Sequence, residues 1–217
     1  MTLPHVKVCC IQNEDEAWLA IRHGASALGF VSEMPSGPGV LSESRIAEIV
    51  AVLPPDVGVF LLTSKRSPAD IIAQQRRCRP NTLQLCDAVD PEMYRELRLA
   101  MPGTAIVQVI HVTGEEALAE AITRAPHVNA LLLDSGRPNA ATPELGGTGR
   151  VHDWSVSRKI ARECGVPVFL AGGLNPDNVA AAVKEVQPYA VDVCSGLRSD
   201  GALDESRLRS FMANVRD

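Results

Sequence analysis

Short runs of β-branched and other apolar residues alternate with longer amphipathic stretches along the whole chain, and the alternation occurs eight times. The strand-like runs are Val6–Ile11, Ala27–Val31, Val57–Leu62, Thr82–Leu85, Thr104–Ile110, Ala130–Leu133, Pro167–Leu170 and Ala190–Val193. Helical patterns follow at Glu14–His23, Glu43–Leu53, Pro68–Arg77, Pro91–Met101, Gly114–Arg124, Asp153–Glu163, Pro176–Val186 and Glu205–Val215. Asn13 with Glu16, Ser42 before Glu43, and Asn175-Pro176-Asp177 read as helix N-termini. Uninterrupted apolar strands such as Leu131-Leu132-Leu133 suit a parallel sheet covered on both faces. Strict alternation therefore predicts a parallel α/β fold with right-handed crossovers. Eight repeats in 217 residues fit a single (β/α)8 barrel better than an open doubly wound sheet. The open sheet wants a Gly-x-Gly-x-x-Gly turn after its first strand, and Cys9-Cys10-Ile11-Gln12 is not one. No low-complexity linker divides the chain, so one domain is expected over residues 1–217.

Composition narrows the partners. Apolar residues at 46% and charged residues at 22% are an ordinary globular balance, which excludes disorder, collagen and coiled coil for the whole. Twenty-one basic against 26 acidic side chains leave a net charge of −5, so no broad nucleic-acid footprint is expected. Aromatics at 4% argue equally against a base-stacking platform. No apolar run approaches the ~18 residues that would span a bilayer, and residues 1–7 lack a signal-peptide core. A cytoplasmic protein without membrane contact is the expectation. The six cysteines contain no Cys-x-x-Cys pair and are expected to be reduced.

In a barrel, residues at the C-terminal ends of the strands converge on one mouth. That places Cys9, Cys86, His111, Asp134, Gly172-Gly173 and Asp192–Gly196 together, with the glycine-rich Gly146–Gly149. The segment Gly136–Arg150 is the longest irregular stretch and a candidate lid after the sixth strand. Glycines after the last two strands suggest a phosphate cradle of backbone N–H groups, which binds an anion without net positive charge. Asp134, ending an apolar run, is either a loop cap or a general acid–base whose pKa partial burial raises. Cys9 is either a small core residue or a thiolate base. Lys7, two residues earlier on the same strand face, could supply the ~1.4 kcal/mol that one unit of thiol acidification needs.

Taken in order and spacing, these residues resemble the phosphoribosylanthranilate isomerase family. Val6-Lys7-Val8-Cys9 resembles its opening Lys-Ile-Cys-Gly strand, and Gly24–Val31 and Val57–Phe60 its second and third strands. Gln84-Leu85, Leu131–Ser135, Gly146–Gly149 with Asp153-Trp154, Leu170–Asn175 and Val191–Gly196 extend the likeness nearly end to end. The resemblance implies an Amadori rearrangement of a small phosphorylated sugar without metal or organic cofactor. It implies Asp134 as general acid and Cys9 as general base, with Gly172, Gly173, Ser195 and Gly196 on the phosphate. Lys7, Asp192, Gly147 and Arg198 are the further expected substrate contacts, Asp192 near the ribose hydroxyls. Monomer and homodimer both remain open.

The departures concern the end of the substrate opposite the phosphate. Gly39 stands where the family's arginine for the anthranilate carboxylate is expected, and Cys10 stands where glycine follows the cysteine. Gln12, Cys86-Asp87 and Leu197-Arg198 also differ from the family's pattern. Losing a bidentate carboxylate partner in a desolvated site costs about 2–5 kcal/mol of binding. Arg198 or Arg137 could replace it, against the plainer expectation of solvated loop arginines. Three alternatives follow: a paralogue for another phosphorylated aminosugar or phosphate ester, a non-catalytic barrel that binds a phosphorylated ligand, and a metal site of Cys9, Cys86, Cys194 and His111.

Overall fold

The computed structural model describes residues 3–35, 37–136 and 151–216. Its parallel strands are β1 (His5–Val8), β2 (Ala27–Val31), β3 (Gly58–Thr63), β4 (Thr82–Leu85), β5 (Ala105–His111), β6 (Ala130–Asp134), β7 (Val168–Leu170) and β8 (Ala190–Val193). They pair in sequence order, and β1 closes on β8 with Lys7 opposite Asp192, so the sheet is a closed barrel. Helices follow the strands: α1 (Glu14–Arg22), α2 (Glu43–Val50), α3 (Pro68–Cys78), α4 (Pro91–Ala100), α5 (Glu116–Arg124), α6 (Trp154–Glu163), α7 (Val179–Val186) and α8 (Glu205–Asn214).

Two apolar layers hold this arrangement. Leu28, Leu61, Leu131 and Leu133 point outward and pack under the helices. Ala27, Phe60, Val107, Leu132 and Phe169 point inward and fill the barrel. The alternation within Leu131-Leu132-Leu133 is thus real but invisible in hydropathy, because both faces are dry. Truncating one such buried leucine to alanine costs about 2–5 kcal/mol. Side-chain caps fix the helix starts: Asn13 Oδ1 accepts the Glu16 N–H at 2.9 Å, and Ser42 Oγ accepts that of Arg45 at 3.2 Å.

Three expectations need correction. The first strand ends at Val8, not Ile11, because Cys10 adopts φ +63°, although Cys9 and Ile11 still donate to Val193 and Gly29. The seventh helix begins at Val179, not Pro176, since Asn175 Oδ1 accepts from Asp177 and Asn178 and forms a separate turn. A two-stranded antiparallel ribbon, β9 (Arg198–Ser199) with β10 (Ala202–Leu203), precedes α8 where only a loop was expected. Its turn, Asp200-Gly201, has both residues at positive φ (51° and 82°), the Asp-Gly signature of a tight hairpin.

Candidate active site

The mouth is built on a buried ion pair. Lys7 Nζ donates to Asp192 Oδ1 at 2.9 Å, with the ammonium 5.1 Å from the centroid of the Phe60 ring. Burial works against charge on both partners, but Asp192 and the neighbouring Cys9 outweigh it and hold Lys7 above its ordinary range. Just past the end of β1, Cys9 joins the buried interior cluster. A Cβ on Gly29 would lie 2.6 Å from Cys9 Sγ and 3.1 Å from Lys7 Nζ, so sulfur and ammonium are near neighbours across that glycine. A hydrogen bond from Cys10 and the charge of Lys7 pull the Cys9 pKa down against burial and Asp192.

Asp134 ends β6 opposite His111 of β5, and it is buried. Burial raises its pKa, with the Ser135 N–H, His111 and Lys7 opposing and Asp192 adding to the rise. Lys7 and Asp192 thus act on Cys9 and Asp134 alike, and Cys86 lies within the field of both. Burial pushes the Cys86 thiol far up, which favours its neutral form. One group is shifted toward losing its proton and the other toward keeping it, the arrangement that separates a base from an acid.

Beside this lies the glycine-rich rim. Gly172 and Gly173 follow β7 with φ of 82° and 65°, left-handed values that favour glycine. A Cβ on Gly172 would meet Ser135 N, Ser135 Oγ and His152 Nδ1, each at 3.0 Å, so this loop sits directly against the residue after Asp134. A Cβ on Gly196 would lie 2.0 Å from the Leu174 carbonyl, which locks the loops after β7 and β8 together. Gly173, Asn175, Ser195, Gly196 and the α8 residues Arg207 and Ser210 line a cavity of about 800 Å³.

A family model described as N-(5'-phosphoribosyl)anthranilate (PRA) isomerase matches residues 6–214. The chain belongs to that family. It is 33% identical to the N-(5'-phosphoribosyl)anthranilate isomerase of Methanocella arvoryzae over 99% of both chains. It is 34% identical to that of Acidithiobacillus ferrooxidans, covering 100% of this chain and 99% of the relative. Among solved structures, the phosphoribosylanthranilate isomerase of Thermotoga maritima superposes with a TM-score of 0.84 at 28% identity, 98% of each chain being covered. A phosphoribosylanthranilate isomerase in complex with reduced 1-(o-carboxyphenylamino)-1-deoxyribulose 5-phosphate gives 0.80 at 27% identity over 98% of each chain.

Against that family, the residues singled out in the sequence divide clearly. Cys9, Asp134, Lys7 and Asp192 meet in one electrostatic cluster, and Gly172, Gly173, Ser195 and Gly196 form the rim. Lys7, expected as a substrate contact, is 0% exposed and paired with Asp192. Arg198 is no solvated loop arginine, for Glu16 already engages its guanidinium. Its guanidinium donates to Glu16 at 2.9 and 3.0 Å, to the Gly201 carbonyl at 2.8 Å and to the Cys10 carbonyl. Gly147, with Gly146–Gly149, Arg137 and most of the expected lid, lies outside the described residues.

Among the described residues, no group of three or more His, Cys, Asp or Glu side chains is arranged to hold a metal ion. The proposed set of Cys9, Cys86, Cys194 and His111 therefore does not form a metal cluster. Nor is any helix among them long and apolar enough to cross a membrane. Sequence reasoning missed His152, whose Nε2 meets Ser157 Oγ at 2.7 Å beside Gly172, and whose pKa burial pushes down to about 4. Its position just after the glycine-rich segment was the available signal.

Proposed function

We propose that this chain isomerises N-(5-phosphoribosyl)anthranilate to 1-(2-carboxyphenylamino)-1-deoxyribulose 5-phosphate, using residues 1–217 as one domain. The observation that carries this reading is the opposed pair at one mouth: a thiol pulled down and a carboxyl pushed up, sharing Lys7 and Asp192. Asp134 gives its proton to the furanose ring oxygen as the C1–O bond breaks, and the nitrogen lone pair closes a C1=N Schiff base. Cys9 then takes the C2 proton, and that electron pair forms C1=C2 while nitrogen recovers its lone pair. The resulting enolamine ketonises by gaining a proton at C1 and losing one from the C2 hydroxyl. Atoms and charge balance without an added redox group.

The N–H groups around Gly172, Gly173, Ser195 and Gly196 suit the phosphate, and Asp192 is the side chain assigned to the ribose hydroxyls. The proposed setting is the cytoplasm, with the phosphorylated sugar as the partner and neither nucleic acid nor membrane. Thermotoga maritima phosphoribosylanthranilate isomerase is dimeric, and monomer or homodimer is proposed for this chain. Purified protein given phosphoribosylanthranilate should reach a kcat/KM of about 10⁴–10⁸ M⁻¹s⁻¹.

A second reading rests on Gly39. At φ +76°, a Cβ there would lie 2.9 Å from Cys10 Cβ and 3.2 Å from the Cys10 carbonyl, so an arginine cannot occupy this backbone as it stands. With Arg198 also engaged, the same proton transfers would serve another phosphorylated aminosugar. A kcat/KM below ~10² M⁻¹s⁻¹ with phosphoribosylanthranilate would favour that paralogue.

A further inference from the structure

Cys10 is the most unusual side chain of the mouth. Successive residues of an extended strand point to opposite faces, so Cys10 should leave the barrel where Cys9 enters it. Instead its φ of +63°, a value that favours glycine, turns it back, and both thiols are buried in the same interior cluster. Gly39 packs against it, leaving no room for a Cβ of its own, and the half-buried Cys194, just after the strand paired with β1, packs against the same cluster. A non-glycine residue in this strained conformation, at the mouth of the barrel, motivates a search for what its side chain does there.

We propose that Cys10 is a positioning residue for the reaction, its thiol donating a hydrogen bond to the Cys9 sulfur and holding it as the proton acceptor. This rests on the isomerase reading of Cys9. Both thiols are buried in that one cluster as neighbours in the chain, and they act oppositely on each other: Cys9 is pulled down, while Cys194, Cys9 and burial push Cys10 well up. Cys10 is therefore the harder of the two thiols to ionise. The other groups facing this pair are Lys7 on β1, Cys86 after β4, and Asp192 and Cys194 at the end of β8. Arg198 donates to the Cys10 carbonyl and is held by Glu16. Of the charged groups, Lys7 is held by Asp192, and Arg198 by Glu16 and by carbonyl oxygens.

The test compares Cys10→Gly, which the backbone accepts, with Cys10→Ser, which restores a donor. Cys9 ionisation is read as the ultraviolet thiolate absorbance that Cys9→Ala removes from each protein, and the acid limb of kcat/KM against pH is measured alongside. Cys10→Gly should raise the Cys9 midpoint by about one pH unit, cutting kcat/KM about tenfold on the acid limb. Cys10→Ser should stay within about twofold of the parent, because a hydroxyl donates at least as well as a thiol. An unchanged midpoint in Cys10→Gly, or an equal shift in Cys10→Ser, overturns the proposal. A midpoint that shifts as expected in a parent protein inactive on phosphoribosylanthranilate would reject the isomerase reading alone.

Discussion

Gly29→Ala probes the wedge between Cys9 and Lys7 with a single methyl group. Its Cβ would sit 2.6 Å from Cys9 Sγ, 3.1 Å from Lys7 Nζ and 3.2 Å from Cys9 Cα. Comfortable carbon contacts lie near ~3.5–4.0 Å, so the sulfur must retreat by about 1 Å. Retreat is hindered because Cys9 is backed by the interior cluster and its N–H is bonded to Val193 at 2.8 Å. Overpacking of this kind costs about 1–3 kcal/mol of stability, leaving a folded protein. Displacing a reacting atom by ~1 Å costs on the order of 10²-fold in rate. The expected outcome is a denaturant midpoint moderately below the parent's and kcat lowered about 10²-fold with phosphoribosylanthranilate. Parent-level kcat in a folded Gly29→Ala protein would refute the placement of the reacting thiol in this wedge.

Asp134→Asn removes the proton donor and keeps the shape, so kcat should fall about 10²–10⁴-fold in steady-state assays while KM changes little. The pH profile of kcat/KM should be bell-shaped. Activity falls toward acid as the Cys9 thiolate is protonated, and toward alkali as Asp134 gives up the proton that burial retains. Glu16→Gln should lower stability by about 3–5 kcal/mol in urea titrations, because Arg198 would be left buried without its carboxylate. Burial alone would raise the Glu16 pKa, but Arg198 and the Leu203 and Gln12 N–H groups lower it on balance. Its contribution is therefore complete above the ordinary glutamate range and is lost as pH falls through the depressed folded value. The parent should lose more stability than Glu16→Gln between neutral and strongly acid pH.

Periodicity alone located all eight strands of the barrel, because each repeat must bury one face of a helix and both faces of a strand. Once that closure is known, position in the repeat says which residues reach the mouth. Cys9, Asp134 and the Gly172-Gly173 rim were legible for that reason, and motif order pointed to the family. Electrostatic partners separated by many residues were harder to read. Lys7 and Asp192 are 185 positions apart, and only the β1–β8 register joins them. Arg198 looked like a loop arginine because its pairing with Glu16 depends on how the β9–β10 ribbon folds back over α1.

Sequence determined the repeating architecture and the chemical inventory, since hydropathy spacing and residue type are local properties of the chain. Tertiary structure alone decided which charges face one another, that Gly39 and Cys10 are mutually accommodating, and that two adjacent thiols point the same way. Those outcomes depend on barrel closure and on one left-handed backbone angle, and neither is written in the hydropathy pattern.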